Sequence, residues 1–98
     1  MNEPSSETQL VRRRVIYRGR VQGVGFRYTT ASIARRFLAT GYVKNLPNGT
    51  VELMIEGSSA NLDAFVAEVS AKFDRDIVRV DCEELVPDGS FVEFGIRY

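Results

Sequence analysis

The sequence predicts an α+β fold, with two helices packed on one face of a mainly antiparallel sheet. Three observations carry that expectation. The apolar spacing alternates between a strand period and a helix period, in the order strand, helix, hairpin, helix, strand, strand. An Asn-Gly pair at 48–49 lies between two alternating runs, the strongest short-range hairpin signal. Each helical segment carries a single apolar stripe, so each has one face to bury, and a sheet supplies the matching surface.

The elements follow in order. Residues 1–10, "MNEPSSETQL", are polar and read as a flexible N-terminal tail, which leaves 11–98 as one domain. "RRRVIYRGR" (12–20) alternates Arg13, Val15 and Tyr17 against Arg14, Ile16 and Arg18, with the β-branched and aromatic residues that favour strands. A glycine-containing stretch, 19–25, interrupts it. From Phe26 the period changes: Thr30, Ile33, Ala34, Phe37 and Leu38 form a helical stripe with Arg35 and Arg36 outside it, and Gly41 is the expected terminator. "YVKNLP" (42–47) and "TVELMIE" (50–56) are the hairpin strands, the first ending near Pro47 because proline lacks a ladder donor. The second helix spans 57–73, capped by Ser58 or Ser59, with Leu62, Phe65, Val66, Val69 and Phe73 as its stripe. "DIVRVDCEEL" (76–85) is a strand whose buried face starts at Ile77 or Val78. "PDG" (87–89) is a turn, and "FVEFGIRY" (91–98) closes the chain with Phe94, Ile96 and Tyr98 alternating. The order is that of a ferredoxin-like α/β sandwich with one added C-terminal strand. Many activities use that architecture, so the fold alone says little about function.

Composition narrows the chemistry. The chain has no histidine, which excludes Ser-His and Cys-His dyads and histidine metal sites. Its single cysteine, Cys82, has no internal partner for a disulfide, so a reducing compartment, the cytoplasm, is expected. No apolar run approaches the roughly 20 residues of a membrane span, and no membrane association is expected. Net charge is zero but lopsided. Residues 1–36 hold eight arginines against Glu3 and Glu7, and the remainder holds five basic against eleven acidic residues. Such a basic half points to an anionic ligand unless folding brings the two halves together.

The stretch "VQGVGFR" (21–27) is where an anion would sit. Gly23 and Gly25 lack Cβ atoms, so the backbone can take left-handed angles and converge its N–H groups into a nest. The first helix starts just beyond, adding unsatisfied N–H groups and a partial positive charge. Arg27 lies in its first turn, where a cation opposes the helix dipole at about 0.3–1 kcal/mol. That cost makes sense if its planar fork serves a bound phosphate. A Walker loop is excluded because no Lys-Ser/Thr ends the stretch, and a dinucleotide fingerprint fails at Tyr28. A plain strand-to-helix turn is the alternative on composition alone.

Two blocks then carry a resemblance. V-Q-G-V-G-F-R at 21–27 and "GYVKNLPNGTVE" at 41–52 resemble the signature segments of the acylphosphatase family, and the ending "FGIRY" is similar to that family's last strand. The resemblance covers about 11–98. Departures are small: Tyr42 stands where tryptophan is frequent, and "FDRD" (73–76) replaces a connection richer in glycine and proline. The resemblance implies metal-independent hydrolysis of a carboxyl-phosphate bond to a carboxylate and inorganic phosphate, by direct attack of an oriented water. It implies a small acyl phosphate as substrate, such as acetyl phosphate or 1,3-bisphosphoglycerate, with no cofactor. By position, Arg27 grips the phosphate, Asn45 orients the water, and the backbone of Gln22, Gly23, Val24, Gly25 and Phe26 cradles the phosphate. Asn48 is the main rival to Asn45, but an Asn-Gly turn already gives it a structural role. Asp74, Asp76, Glu83 and Glu84 read as a solvated charged segment rather than metal ligands, and Cys82 as a packed thiol rather than a nucleophile. A free-standing monomer is expected.

The competing reading is a non-catalytic phosphate- or nucleic-acid-binding module on the same fold. "GVGFRY" faintly echoes the strand motif of RNA-recognition domains. It has Val24 where an aromatic is needed, and it falls between strand and helix rather than on a central strand, so nucleic acid is not the expected partner.

Overall fold

The computed structural model describes residues 9–98, so most of the expected tail lies outside the described residues. Its last residue, Leu10, already belongs to the first strand. The elements are β1 (Leu10–Gly19), α1 (Phe26–Phe37), β2 (Thr40–Asn45), β3 (Val51–Ser58), α2 (Ser59–Lys72), β4 (Ile77–Leu85) and β5 (Phe94–Arg97). The strands form one sheet in the order β4-β1-β3-β2-β5. All neighbours are antiparallel except β2 and β5, which run parallel.

The core lies between the helices and one face of the sheet. Val15 and Tyr17 of β1, Val43 of β2, and Val51, Leu53 and Ile55 of β3 are fully buried there. They meet Phe26, Ile33 and Ala34 of α1 and Leu62, Phe65 and Val69 of α2, as the two helical stripes require. Ser58 caps α2, its hydroxyl accepting from the Asn61 N–H at 3.2 Å.

Three local expectations need correction. Leu38 does not join the helical stripe. It is the C-cap of α1, in the left-handed region at φ 52°, and is 87% exposed. Gly41 consequently does not end the helix. It lies in β2 at φ 135°, where a Cβ would come within 1.8 Å of the Met54 carbonyl oxygen, so glycine is needed for close strand approach. The third concerns the chain after β4. The 87–89 turn was expected to lead into a strand from 91, but β5 begins only at Phe94 and sits at the far edge from β4. The connection, 86–93, must cross four strand spacings, about 19 Å, within reach of an extended chain of that length. Glu56, 2% exposed, fastens it, accepting from the Asp88 N–H at 3.1 Å and the Gly89 N–H at 3.2 Å. Arg12 joins Glu56 at 2.6 Å to Asp88 at 2.7 Å and lies over the Phe91 ring. β4 itself has little buried surface, because it is an edge strand. Ile77 packs on the core, whereas Val78 is 83% exposed.

Candidate active site

Topology brings three chain segments to one edge of the sheet. β1 and β2 are both antiparallel to β3, and β5 is parallel to β2, so β1, β2 and β5 run the same way. Their carboxyl ends, at Gly19, Asn45 and Arg97, lie together. The segment 20–25 leaves β1 at this edge and enters α1.

That segment has the predicted bend. Gly23 and Gly25 take φ 78° and 80°. A Cβ at either would meet nothing within 4 Å, so the angle demands glycine and the side facing out stays open. Gly25 is the N-cap of α1 and offers no side chain to its first turn. The first-turn N–H groups are therefore left for solvent or an anion. Phe26 anchors the bend, 2% exposed and packed at a tilt against Tyr17 at 5.0 Å and Phe73 at 4.5 Å between ring centres. Gln22 plays a part the sequence did not reveal. Its Nε2 donates to the Leu46 and Thr50 carbonyls, both at 2.8 Å, and so ties the bend to the β2–β3 hairpin. A polar side chain inside a glycine-rich bend was the available signal, but its partners lie more than twenty residues away.

Arg27 is half-buried at the start of α1. Its Nη1 donates to the Arg97 carbonyl at 3.3 Å, and its guanidinium lies over the Tyr98 ring at 4.7 Å. Arg97 in turn stacks its guanidinium on the Tyr42 ring at 4.0 Å. Arg27 has no carboxylate partner among the described residues. The contrast with its neighbours in sequence is sharp. Arg12, Arg13, Arg14, Arg18, Arg20 and Arg36 pair with Glu56, Asp63, Glu52, Asp81, Asp76 and Glu68 respectively. Folding thus cancels most of the lopsided charge; of the eight arginines, Arg27 and Arg35 are left without a carboxylate among the described residues, and of these two Arg27 lines the cleft described below.

Asn45 ends β2 and faces the helix side, in register with Val51 and Tyr17. Its Oδ1 is buried and has no hydrogen-bond partner among the described residues. Asn48 is used differently: its Oδ1 accepts from the Thr50 N–H at 3.2 Å and hydroxyl at 2.6 Å, which closes the hairpin loop. Gly23, Gly25, Phe26, Arg27 and Asn45 line one cleft of about 400 Å³, with Tyr28 and Tyr98 at its rim. Gln22 and Val24 flank it without lining it, and the role expected of them concerns their backbone.

The acidic residues lie elsewhere. Asp76 pairs with Arg20, Glu84 with Arg13, and among the described residues no three histidine, cysteine or carboxylate groups could hold a metal ion. Cys82 is exposed on β4, and desolvation raises its thiol pKa, which disfavours the thiolate.

Comparison with known proteins decides the family. The acylphosphatase family model matches residues 13–96. The chain belongs to the acylphosphatase family. A curated acylphosphatase from Oceanobacillus iheyensis is 36% identical over 88 residues, covering 87% of this chain and 96% of that protein. An acylphosphatase from a Nostoc species is 49% identical over 57 residues, covering 58% of this chain and 56% of that protein. The chain thus spans a little over half the length of the first curated relatives it matches. Among solved structures, the crystal structure of acylphosphatase from Bacillus subtilis superposes with a TM-score of 0.81 at 33% identity, covering 92% of this chain and all of that one. The ferredoxin-like fold is accordingly shared with acylphosphatases. No helix among the described residues is long and apolar enough to cross a membrane.

Proposed function

We propose that the protein hydrolyses acyl phosphates to a carboxylate and inorganic phosphate by direct attack of an oriented water. The observation that carries this reading is a pair of residues lining one cleft: an arginine with no carboxylate partner and an asparagine with a buried, unpartnered amide oxygen, both among the described residues. The backbone N–H groups of 22–26 and the Arg27 guanidinium would hold the phosphoryl oxygens. Asn45 Oδ1 would accept a hydrogen bond from the attacking water, while its NH₂ can donate to phosphate.

The chemistry suits a chain without histidine. The leaving carboxylate has a conjugate acid pKa near ~4, so it departs without a general acid. Phosphoryl transfer passes through a loose transition state in most analyses, so strong base activation of water matters less. Positioning and charge stabilisation remain, and the cleft supplies both. Neither requires a metal or cofactor. We place the enzyme in the cytoplasm as a monomer, a compartment that suits an exposed free thiol.

The test is hydrolysis of benzoyl phosphate in EDTA by the wild type, Arg27→Ala and Asn45→Ala. Turnover that resists EDTA and collapses in both variants is expected. A folded wild type that binds phosphate without turnover would instead support the non-catalytic phosphate-binding module.

A further inference from the structure

A second cleft, also about 400 Å³, shares Tyr28 with the first. It runs along the groove between α1 and the end of α2 and is lined by Thr29, Ser32, Ile33, Arg36 and Lys72. Tyr28, Ser32 and Arg36 recur four residues apart on one stripe of α1, and Thr29 lies beside them. The helices point in opposite directions, so the carboxyl end of α2, with Lys72, reaches the amino end of α1.

The charges in this groove lean one way. α1 contains no acidic residue. Glu68 is the carboxylate that touches the lining, and it is engaged by Arg36. Lys72 has no carboxylate within 4.0 Å among the described residues, and it lines the groove. The Thr29 and Ser32 hydroxyls can each donate one hydrogen bond. Ile33 is a small apolar floor.

From this arrangement we infer a second anion subsite, which selects acyl phosphates whose acyl part carries a further negative group. With the phosphoryl group at Arg27, the acyl part would pass over the Tyr28 ring, and its far carboxylate or phosphate would meet Lys72, Thr29 and Ser32. This inference rests on the hydrolase reading above and adds a specificity to it.

The experiment compares kcat/KM for benzoyl phosphate, 4-carboxybenzoyl phosphate and 3-phosphoglyceroyl phosphate. The first two differ only by a remote carboxylate, and the third tests a remote phosphate. The readout is each anionic substrate's kcat/KM divided by that for benzoyl phosphate. Lys72→Glu should lower this ratio about three- to fivefold, an exposed charge pair's worth, mainly through KM. Lys72→Arg should keep it near the wild-type value. Unequal responses of the carboxylate and phosphate tails would show which anion the subsite prefers. Ratios within twofold of wild type for both anionic substrates in Lys72→Glu would overturn the subsite and leave the hydrolase intact. No turnover of benzoyl phosphate by the wild type would overturn the hydrolase reading, and the subsite with it.

Discussion

The open face of the sheet and the cleft at its edge are both supplied with arginine by the same stretch of sequence, yet they use it in opposite ways. On the open face, Arg12 and Arg14 meet Glu56 and Glu52, each pair at 2.6 Å, and both carboxylates are nearly buried. Tyr42 adds a hydroxyl that donates to Glu52 at 2.9 Å. In the cleft, Arg27 finds a carbonyl and an aromatic ring but no carboxylate among the described residues. On that face each arginine's charge is neutralised by a carboxylate of the neighbouring strand. An unpaired guanidinium beside free N–H groups keeps its charge for a ligand. Composition treats these arginines alike, and only their partners separate them.

The comparison can be broken most directly at Arg27. Arg27→Ala should lower kcat/KM for benzoyl phosphate by more than ~10³, because it removes a charged donor where charge develops, and should leave the melting temperature nearly unchanged. A loss under about tenfold would place Arg27 with the structural arginines. Asn45→Ala comes next, with an expected fall of about 10²–10³ in kcat and a smaller change in phosphate inhibition. Gln22→Ala should act through geometry. Losing two hydrogen bonds between the bend and the hairpin should cost roughly 1–3 kcal/mol of stability by chemical denaturation and about tenfold in kcat/KM.

Arg14→Ala supplies the other side of the comparison. It strands a nearly buried Glu52 but touches nothing in the cleft, so about 1–2 kcal/mol of stability should be lost with activity within threefold of wild type. Arg14 is itself over a third exposed, which keeps that figure below a fully buried pair's. The smallest effect is a pH dependence. Desolvation and then the hydrogen bond to Glu52 raise the Tyr42 hydroxyl above its ordinary pKa of 10.0. Its contribution is therefore intact below that value and lost as pH rises through the raised one. Alkaline unfolding of Tyr42→Phe should be less steep than that of the wild type, while activity near neutral pH stays within twofold.

Much of the fold was legible because its signals are local. The helical stripes, the Asn-Gly loop and the Ser58 cap each depend on residues within one turn or one strand of each other. The failures share a cause. Gly41 looks like a helix stop in sequence, but its role is set by the Met54 backbone across the sheet. Leu38 fits the stripe by number and leaves it because the chain turns through a left-handed cap one residue past α1. The 86–93 connection reads as a turn at 87–89 followed by a strand from 91, yet a buried Glu56 from another strand holds it across the sheet.

The sequence by itself determined the two-layer architecture and the glycine bend, since periodicity and glycine's freedom at positive φ are properties of neighbouring residues. It also excluded histidine chemistry, since composition does not depend on folding. Only the tertiary structure decided that Arg27 lines the cleft with no carboxylate partner among the described residues, and that Asn45 rather than Asn48 lines it with an amide oxygen left unpartnered. Those outcomes depend on strand order and direction, which bring Gly19, Asn45 and Arg97 to one edge from positions far apart in the chain. Charge pairing and cleft formation are long-range effects, set by what the fold places within a few ångströms rather than by what stands nearby in sequence.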